Sequence, residues 1–242
     1  MNIKDILHTT THRPWSLPEG TYIWYQEWNQ LIFLHFRIDA AIIKPLIPQG
    51  LQADIFDGSA WVSVVPFSMQ RIRPRLLPAW APVSDFYEVN LRTYVTDGKK
   101  GGVYFFSLEA SRFLPVLLAG GISGMPYEQA AVQRSFGQQD GYKIKNRNKQ
   151  TFASISYKPG LPIVQKTEQE LWLTERYAVY LDKKGRLYRY NVHHLPWPLV
   201  ALDIQDISLE YRVGRQLITE KDIVSAQYSP GVQVLAWNRE QL

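Results

Sequence analysis

Cysteine is absent from this 242-residue sequence. Its absence removes disulfides, thiolate nucleophiles and cysteine-ligated metals together, and fits a reducing, cytoplasmic setting. Long apolar runs are missing too. Nothing approaches the length of a membrane span, and even Phe113 to Ile122 is broken by Pro115 and Gly120, so no membrane partner is expected. The start, Met1 to His8, has no apolar core of a signal peptide. Histidines number only five, with His193 and His194 adjacent and His12 and His35 remote. Neighbours on a strand point to opposite faces, so no metal site is expected. Ser107 and Ser111 near Glu109 lack the glycines of a nucleophile elbow. The segment Gly120 to Gly124 lacks the lysine and the preceding strand of a phosphate loop. No cofactor is expected.

Aromatic residues are plentiful: eight Trp and fourteen Tyr, in a chain that is 45% hydrophobic. That supports a sizeable core, as one large β-rich domain or two small ones, with amphipathic rings suited to lining a cavity. A net charge of +5 and a pI near 9.3 raise the question of nucleic acid. The densest basic stretch, Lys143 to Lys149, alternates as an exposed hairpin would and carries no nucleic-acid motif. Solvated edge-strand lysines that discourage edge-to-edge pairing account for it, and no nucleic-acid partner is expected.

Turn signals recur at Asp57-Gly58, Asp97-Gly98, Asp140-Gly141, Pro159-Gly160, Lys184-Gly185 and Pro230-Gly231. Strand-like runs lie between them: Tyr22–Tyr25, Leu31–Arg37, Ala60–Met69, Glu88–Val95, Gly102–Leu108, Thr151–Tyr157, Ala178–Leu181, Leu187–Tyr190 and Val232–Trp237. This punctuation predicts an antiparallel sheet that closes on itself. Helices are few. Asp39 can cap Ala40–Ile47, kept short by Pro45. Ser111 can cap Arg112–Leu118, and Thr167 with Glu170 has the spacing of a capping box. The Pro-rich stretch Arg73–Pro82 reads as an extended loop, either a lid over a pocket or an irregular crossing. No linker divides the chain, so residues 1–242 read as a single domain.

The segment Ser84 to Val95 carries the strongest chemical signal. Val89, Leu91, Thr93 and Val95 share one face, and Glu88, Asn90, Arg92 and Tyr94 share the other. An acid, an amide, a guanidinium and a phenol in one row could line a polar cavity, or lie solvated on a half-exposed strand.

Many segments in order resemble the DUF2071, or YqjF-like, family of uncharacterised bacterial proteins. They include His12-Arg13-Pro14-Trp15, Leu31 to Asp39, Leu46 to Leu51, Phe56 to Val62, Val65-Pro66-Phe67 and Phe86 to Val95. Further on come Val103 to Leu108, Leu173 to Tyr177, His194 to Leu199 and Tyr228 to Gly231. That family is in turn similar to the acetoacetate decarboxylase-like superfamily. The resemblance implies an α+β, mainly β fold: a cone-shaped antiparallel barrel or sheet with a central cavity and a few short peripheral helices. It also places an active-site arginine at Arg37, in Arg37-Ile38-Asp39, and an active-site glutamate at Glu88. The decarboxylases' Gly-x-Pro-Lys-Lys segment aligns with Gly124-Met125-Pro126-Tyr127-Glu128, so Tyr127 and Glu128 stand at the lysine positions. No phenol or carboxylate replaces an attacking amine, which makes Schiff-base decarboxylation an unexpected activity here.

Arg37, Glu88, Asn90, Arg92 and Tyr127 are therefore expected around one central cavity. A dry guanidinium must be paired. Arg37 or Arg92 either pairs permanently with Glu88 or Glu109 or waits for a ligand carboxylate; pairing is the favoured reading for Arg92, and the superfamily resemblance makes Arg37 the better ligand clamp. Tyr127 is either a donor to a carbonyl or a tyrosine that merely packs, and Glu175-Arg176 either a pocket pair or a helix-end ion pair. The expected partner is a small carboxylate- or carbonyl-bearing molecule. It is either bound without turnover or acted on by lysine-independent acid/base chemistry, with Glu88 and Tyr127 as the catalytic candidates. A homo-oligomer is compatible with the sequence.

Overall fold

The structure is a computed structural model and describes residues 2–112, 124–137 and 140–242. Its strands in chain order are β1 (Trp24–Ile38), β2 (Gln52–Ala53), β3 (Ala60–Pro74), β4 (Phe86–Thr96) and β5 (Gly101–Ala110). Next come β6 (Tyr127–Gln129), β7 (Ala131–Ser135), β8 (Asp140–Asn146), β9 (Thr151–Pro162) and β10 (Ala178–Lys183). The last are β11 (Arg186–His193), β12 (Val200–Val213), β13 (Gln216–Thr219), β14 (Ile223–Ala236) and β15 (Glu240–Gln241). The main path of pairing runs β15-β11-β10-β5-β4-β3-β1-β14-β12-β9-β8-β7. Because β14 also pairs with β11, Val192 opposite Ala236, the strands β11, β10, β5, β4, β3, β1 and β14 form a ring.

The ring is antiparallel except at β5–β10, where Val103 lies opposite Val179 in a parallel pairing. Gly102 makes this junction possible. A Cβ there would lie 2.5 Å from the Ala178 carbonyl oxygen, a separation that side chains do not tolerate.

Alternation sorts each central strand into two cores. Leu31 and Phe33 of β1, Val65 and Phe67 of β3 and Phe86 of β4 face the ring's interior. Ile32 and Leu34, Val62 and Val64, Val89 and Leu91 face the other way, against Tyr142, Ile155 and Tyr211 of the flanking strands. The cores are the two faces of one sheet, sharing β1, β3 and β4.

Several elements differ from the sequence expectation. Tyr22–Tyr25 and Leu31–Arg37 belong largely to one 15-residue strand, β1. Its polar middle hides that continuity, and Gln30 takes a positive φ of 56° where the register with β3 slips. Lys143 and Lys145 are exposed as expected, yet β8 lies between β7 and β9 and is not an edge. Asp39 caps the helix Ala40–Ile43, accepting from the Ala41 amide at 2.8 Å, and Pro45 then sits in a 3-10 turn. The capping box at Thr167 starts the helix Glu168–Thr174. A short helix, Ile3–His8, capped by Asn2, was not legible. The expected helix Arg112–Leu118 lies outside the described residues beyond Arg112. No helix among the described residues is long and apolar enough to cross a membrane.

Candidate functional site

The ring encloses a cavity of about 430 Å³. Strand β4 supplies its polar wall, because Phe86, Glu88, Asn90 and Arg92 lie at alternate positions facing inward. The aromatic wall includes Trp28, Phe67 and Trp197, with Trp28 and Trp197 stacked at 6.2 Å between ring centroids. Pro78 and Trp80 of the Pro-rich loop, with Val83 of the short helix Ala81–Ser84 that follows it, line the cavity, and Trp80 is 66% exposed.

Glu88 is buried at 3% exposure. Its Oε2 accepts a hydrogen bond from the Tyr127 hydroxyl at 3.0 Å. Tyr127 reaches it because β6 runs parallel to β5, which places Tyr127 beside Leu108. Among the described residues no cation pairs with Glu88. Burial pushes its pKa up to about 8, against the lowering effect of the Tyr127 hydrogen bond. At neutral pH this carboxyl is therefore largely a neutral acid. Burial, with Glu88 alongside, also holds the Tyr127 phenol well above its usual pKa, so it stays a donor.

Arg92 departs from expectation in its pairing. Its Nη2 donates to the Leu173 carbonyl at 3.3 Å, and its guanidinium lies over the rings of Phe33 and Tyr94 at 5.5 and 5.7 Å. No carboxylate among the described residues forms an ion pair with it. Glu109 cannot: it faces the second core, accepting from Asn146, Thr151 and Tyr211 at 2.9, 3.1 and 2.9 Å. Among the described residues, the buried Arg92 Nε has no hydrogen-bond partner, and neither has the Asn90 Oδ1.

A second cavity guanidinium, Arg176, was read from sequence only as one option beside a helix-end pair with Glu175. In the fold Glu175 accepts from Lys166 at 2.8 Å, while Arg176 pairs with Asp54 at 2.5 Å. Its Nε donates to the Trp172 carbonyl at 2.5 Å, and one buried terminal nitrogen, Nη2, has no partner among the described residues. Burial lowers the Arg176 pKa, against the raising effect of Asp54.

Arg37 is the correction to the expected site. It does not line the cavity; it pairs with Asp57 on the surface and lies 5.1 Å from the Trp61 ring centroid, with its side chain 43% exposed. Its parity matches Phe33 and His35, which point inward, but it sits one step past the cavity floor. That floor is a buried chain: His35 Nδ1 lies 2.7 Å from Ser63 Oγ, which lies 2.7 Å from the Tyr94 hydroxyl. Tyr94 is thus floor rather than wall. Glu128 lies on the opposite face of β6 from Tyr127 and pairs with Lys149 at 2.7 Å. Among the described residues, no cluster of three or more His, Asp or Glu could hold a metal.

A ring of strands around a polar-walled cavity is the fold of the acetoacetate decarboxylase-like proteins. An acetoacetate decarboxylase structure superposes with a TM-score of 0.61 at 14% identity, over 100% of this chain and 98% of that one. An acetoacetate decarboxylase-like enzyme from Sphingomonas wittichii RW1 gives 0.62 at 15% identity, over 97% of each chain. The enduracididine biosynthesis enzyme MppR, complexed with pyruvate, gives 0.63 at 10% identity, over 94% of this chain and 93% of that one. Within that fold, the chain belongs to the DUF2071 family, described as an uncharacterized conserved protein, whose model matches residues 25–233. It is 38% identical over 188 residues to the uncharacterized protein YqjF of Bacillus subtilis (strain 168), covering 76% of this chain and 78% of that protein.

Proposed function

We propose that the ring cavity binds an oxo-acid non-covalently and transfers a proton at the carbon beside its ketone. Arg92 and Arg176, with Asn90, take the carboxylate. Glu88 in its ionised form takes the C–H proton, the C–H electron pair becomes the C=C bond of an enolate, and the ketone π pair moves to oxygen. As Glu88 takes up the proton its hold on the Tyr127 hydroxyl weakens, the hydroxyl turns its single hydrogen to the enolate oxygen, and reversal returns the proton. One observation carries the reading: among the described residues, a buried carboxyl with no cation, its pKa raised to about 8, shares a cavity with an arginine that no carboxylate pairs. Among the described residues no lysine lines the cavity, which fits a mechanism without an imine. The fold relatives support the substrate class, since one is named for acetoacetate and another is complexed with pyruvate.

Deuterium uptake from heavy water, followed by proton NMR on a panel of 2-oxo- and 3-oxo-acids, tests this. Wild-type protein should accelerate exchange beside the ketone, and Glu88→Gln should cost about a hundredfold or more. Thermal shifts with the same acids, but no exchange at any pH, would leave a binding protein without turnover.

A further inference from the structure

The cavity is far larger than a minimal oxo-acid requires. At about 30 Å³ per water, its 430 Å³ has room for about fourteen waters, whereas a four-carbon oxo-acid has about seven heavy atoms. Sites of this volume with few polar groups suit drug-sized ligands. The polarity is also segregated by depth. Along β4 the order is Phe86, Glu88, Asn90, Arg92, and the next inward residue is the floor tyrosine Tyr94. At about 3.4 Å per residue, Arg92 and Phe86 are about 20 Å apart along the strand. The unpartnered nitrogens of Arg92 and Arg176 and the Asn90 oxygen belong to the deep end. The end toward the loop is Trp24, Ile72, Pro78, Trp80 and Phe86, where none of the described lining residues is charged.

We infer that the ligand is an amphiphilic acid: a carboxylate seated at Arg92 and Arg176, and an apolar body of about six or more carbons running past Glu88 toward Trp24 and Trp80. The head group is the one assumed in the proposed function, so the inference rests on that reading for the carboxylate. The apolar body rests separately on cavity volume and lining. Water gains nothing by leaving Arg92, but displacing it from Trp24, Ile72 and Phe86 is favourable in proportion to the area covered. A short acid would leave that half of the cavity wet and unused. The Pro-rich loop then has a role as well. Its Pro78 and Trp80 already form part of the lining, so a ligand tail completes a surface that is otherwise exposed at Leu76, Leu77 and Trp80.

The test is a chain-length series read by calorimetry and by the fluorescence of the cavity tryptophans. Straight-chain carboxylic acids and 2-oxo-acids of about four to twelve carbons are titrated beside their methyl esters. Affinity should rise about fourfold per methylene, flattening once the cavity is full. Each acid should bind at least tenfold tighter than its ester, and Arg92→Met should collapse that ratio toward one. Should Arg92→Met fail to fold, the acid-to-ester ratio on wild-type protein decides the head-group half alone. Affinity independent of chain length, or best for the shortest acids, overturns the apolar body and leaves the oxo-acid reading standing. Esters binding as well as acids overturn the carboxylate seat and with it the proposed head group. A clear length dependence without deuterium exchange on any oxo-acid supports the amphiphile and sinks the catalytic reading alone.

Discussion

The Tyr127 hydroxyl on β6 reaches over the intervening β5 to donate to Glu88 Oε2 on β4 at 3.0 Å, and among the described residues no cation pairs with this carboxyl. This single hydrogen bond leaves Glu88 as a buried acid that its surroundings keep protonated near neutrality. Replacing it by the neutral isostere is therefore informative about stability as well as function.

Glu88→Gln should stabilise the fold increasingly as pH rises. The folded pKa, about 8, lies above the ordinary 4.5. The neutral acid's contribution is thus complete below about 4.5 and lost as pH climbs through about 8. At about 1.4 kcal/mol per pKa unit the difference amounts to a few kcal/mol. Melting temperatures of wild type and variant from pH 5 to 9 should diverge, the variant higher at the alkaline end. A constant difference across that range would mean that Glu88 is not buried as an acid. The same titration sets the sign for catalysis, since exchange that needs ionised Glu88 should speed up as pH rises toward 8.

Histidines should govern the acid limb. Burial lowers His35 to about 3 and His193 and His194 to about 4, from 6.5. Depressed histidines stabilise fully above 6.5, and their contribution is lost as pH falls toward 4. Melting temperature should drop below pH 6.5, with proton uptake on unfolding measurable by calorimetry in buffers of different ionisation heat. An acid limb unaffected by His35→Gln would remove that residue from the account.

How much of this was legible follows the periodicity of strands. Glu88, Asn90 and Arg92 were readable as one polar row because side chains alternate at every second residue, but the period does not say whether that row faces a cavity or solvent. Depth along a strand is not encoded that way. Arg37 has the parity of an inward residue yet falls past the floor, where Trp61 lies opposite it in β3. Arg176 follows a helix and has no period at all, and its partner Asp54 is 122 residues away. The pairing of Glu109 was misjudged for the opposite reason. Its neighbourhood comes from the strands β8, β9 and β12, whose packing behind β5 no local pattern announces.

Asp54 should be required for stability through Arg176. Removing it by Asp54→Ala leaves a buried guanidinium uncompensated, which costs about 3–5 kcal/mol. The double change Asp54→Ala with Arg176→Met should recover much of that loss, while weakening acid binding if Arg176 helps seat the carboxylate. Chemical denaturation of the two variants checks the first claim and calorimetry the second. Equal destabilisation by the single and double changes would show that the pair is not coupled.

Gly102→Ala should strain the parallel β5–β10 junction, because the new methyl would meet the Ala178 oxygen at 2.5 Å and the Ala178 Cβ and Tyr180 Cε2 at 2.9 Å. Overpacking of this kind costs about 1–3 kcal/mol. The cavity is built inside the ring, so ligand thermal shifts should shrink together with the melting temperature. A variant as stable as wild type would mean that the junction relaxes without cost.

Borohydride with acetoacetate should trap no covalent adduct on the unmodified protein, since Tyr127 stands at the lysine position and no described cavity residue is a lysine. Tyr127→Lys alone should not change that. The new amine would project toward Glu88 as Tyr127 does, and a lysine beside a carboxyl forms an ion pair that raises the amine's pKa. Adding Glu128→Lys would not help. Glu128 points to the opposite face of β6 and meets Lys149 there, so a cation at 128 lies on the wrong side of the strand. The variant that gives the amine a dry, uncharged setting is Tyr127→Lys with Glu88→Gln, where burial lowers the lysine pKa. Reduction with borohydride, followed by mass spectrometry of the peptide carrying residue 127, reads the outcome. Only that double variant should gain the mass of a reduced imine. An adduct on wild-type protein at any cavity lysine would overturn the non-covalent mechanism. An adduct on Tyr127→Lys alone would show that Glu88 stays neutral beside an amine.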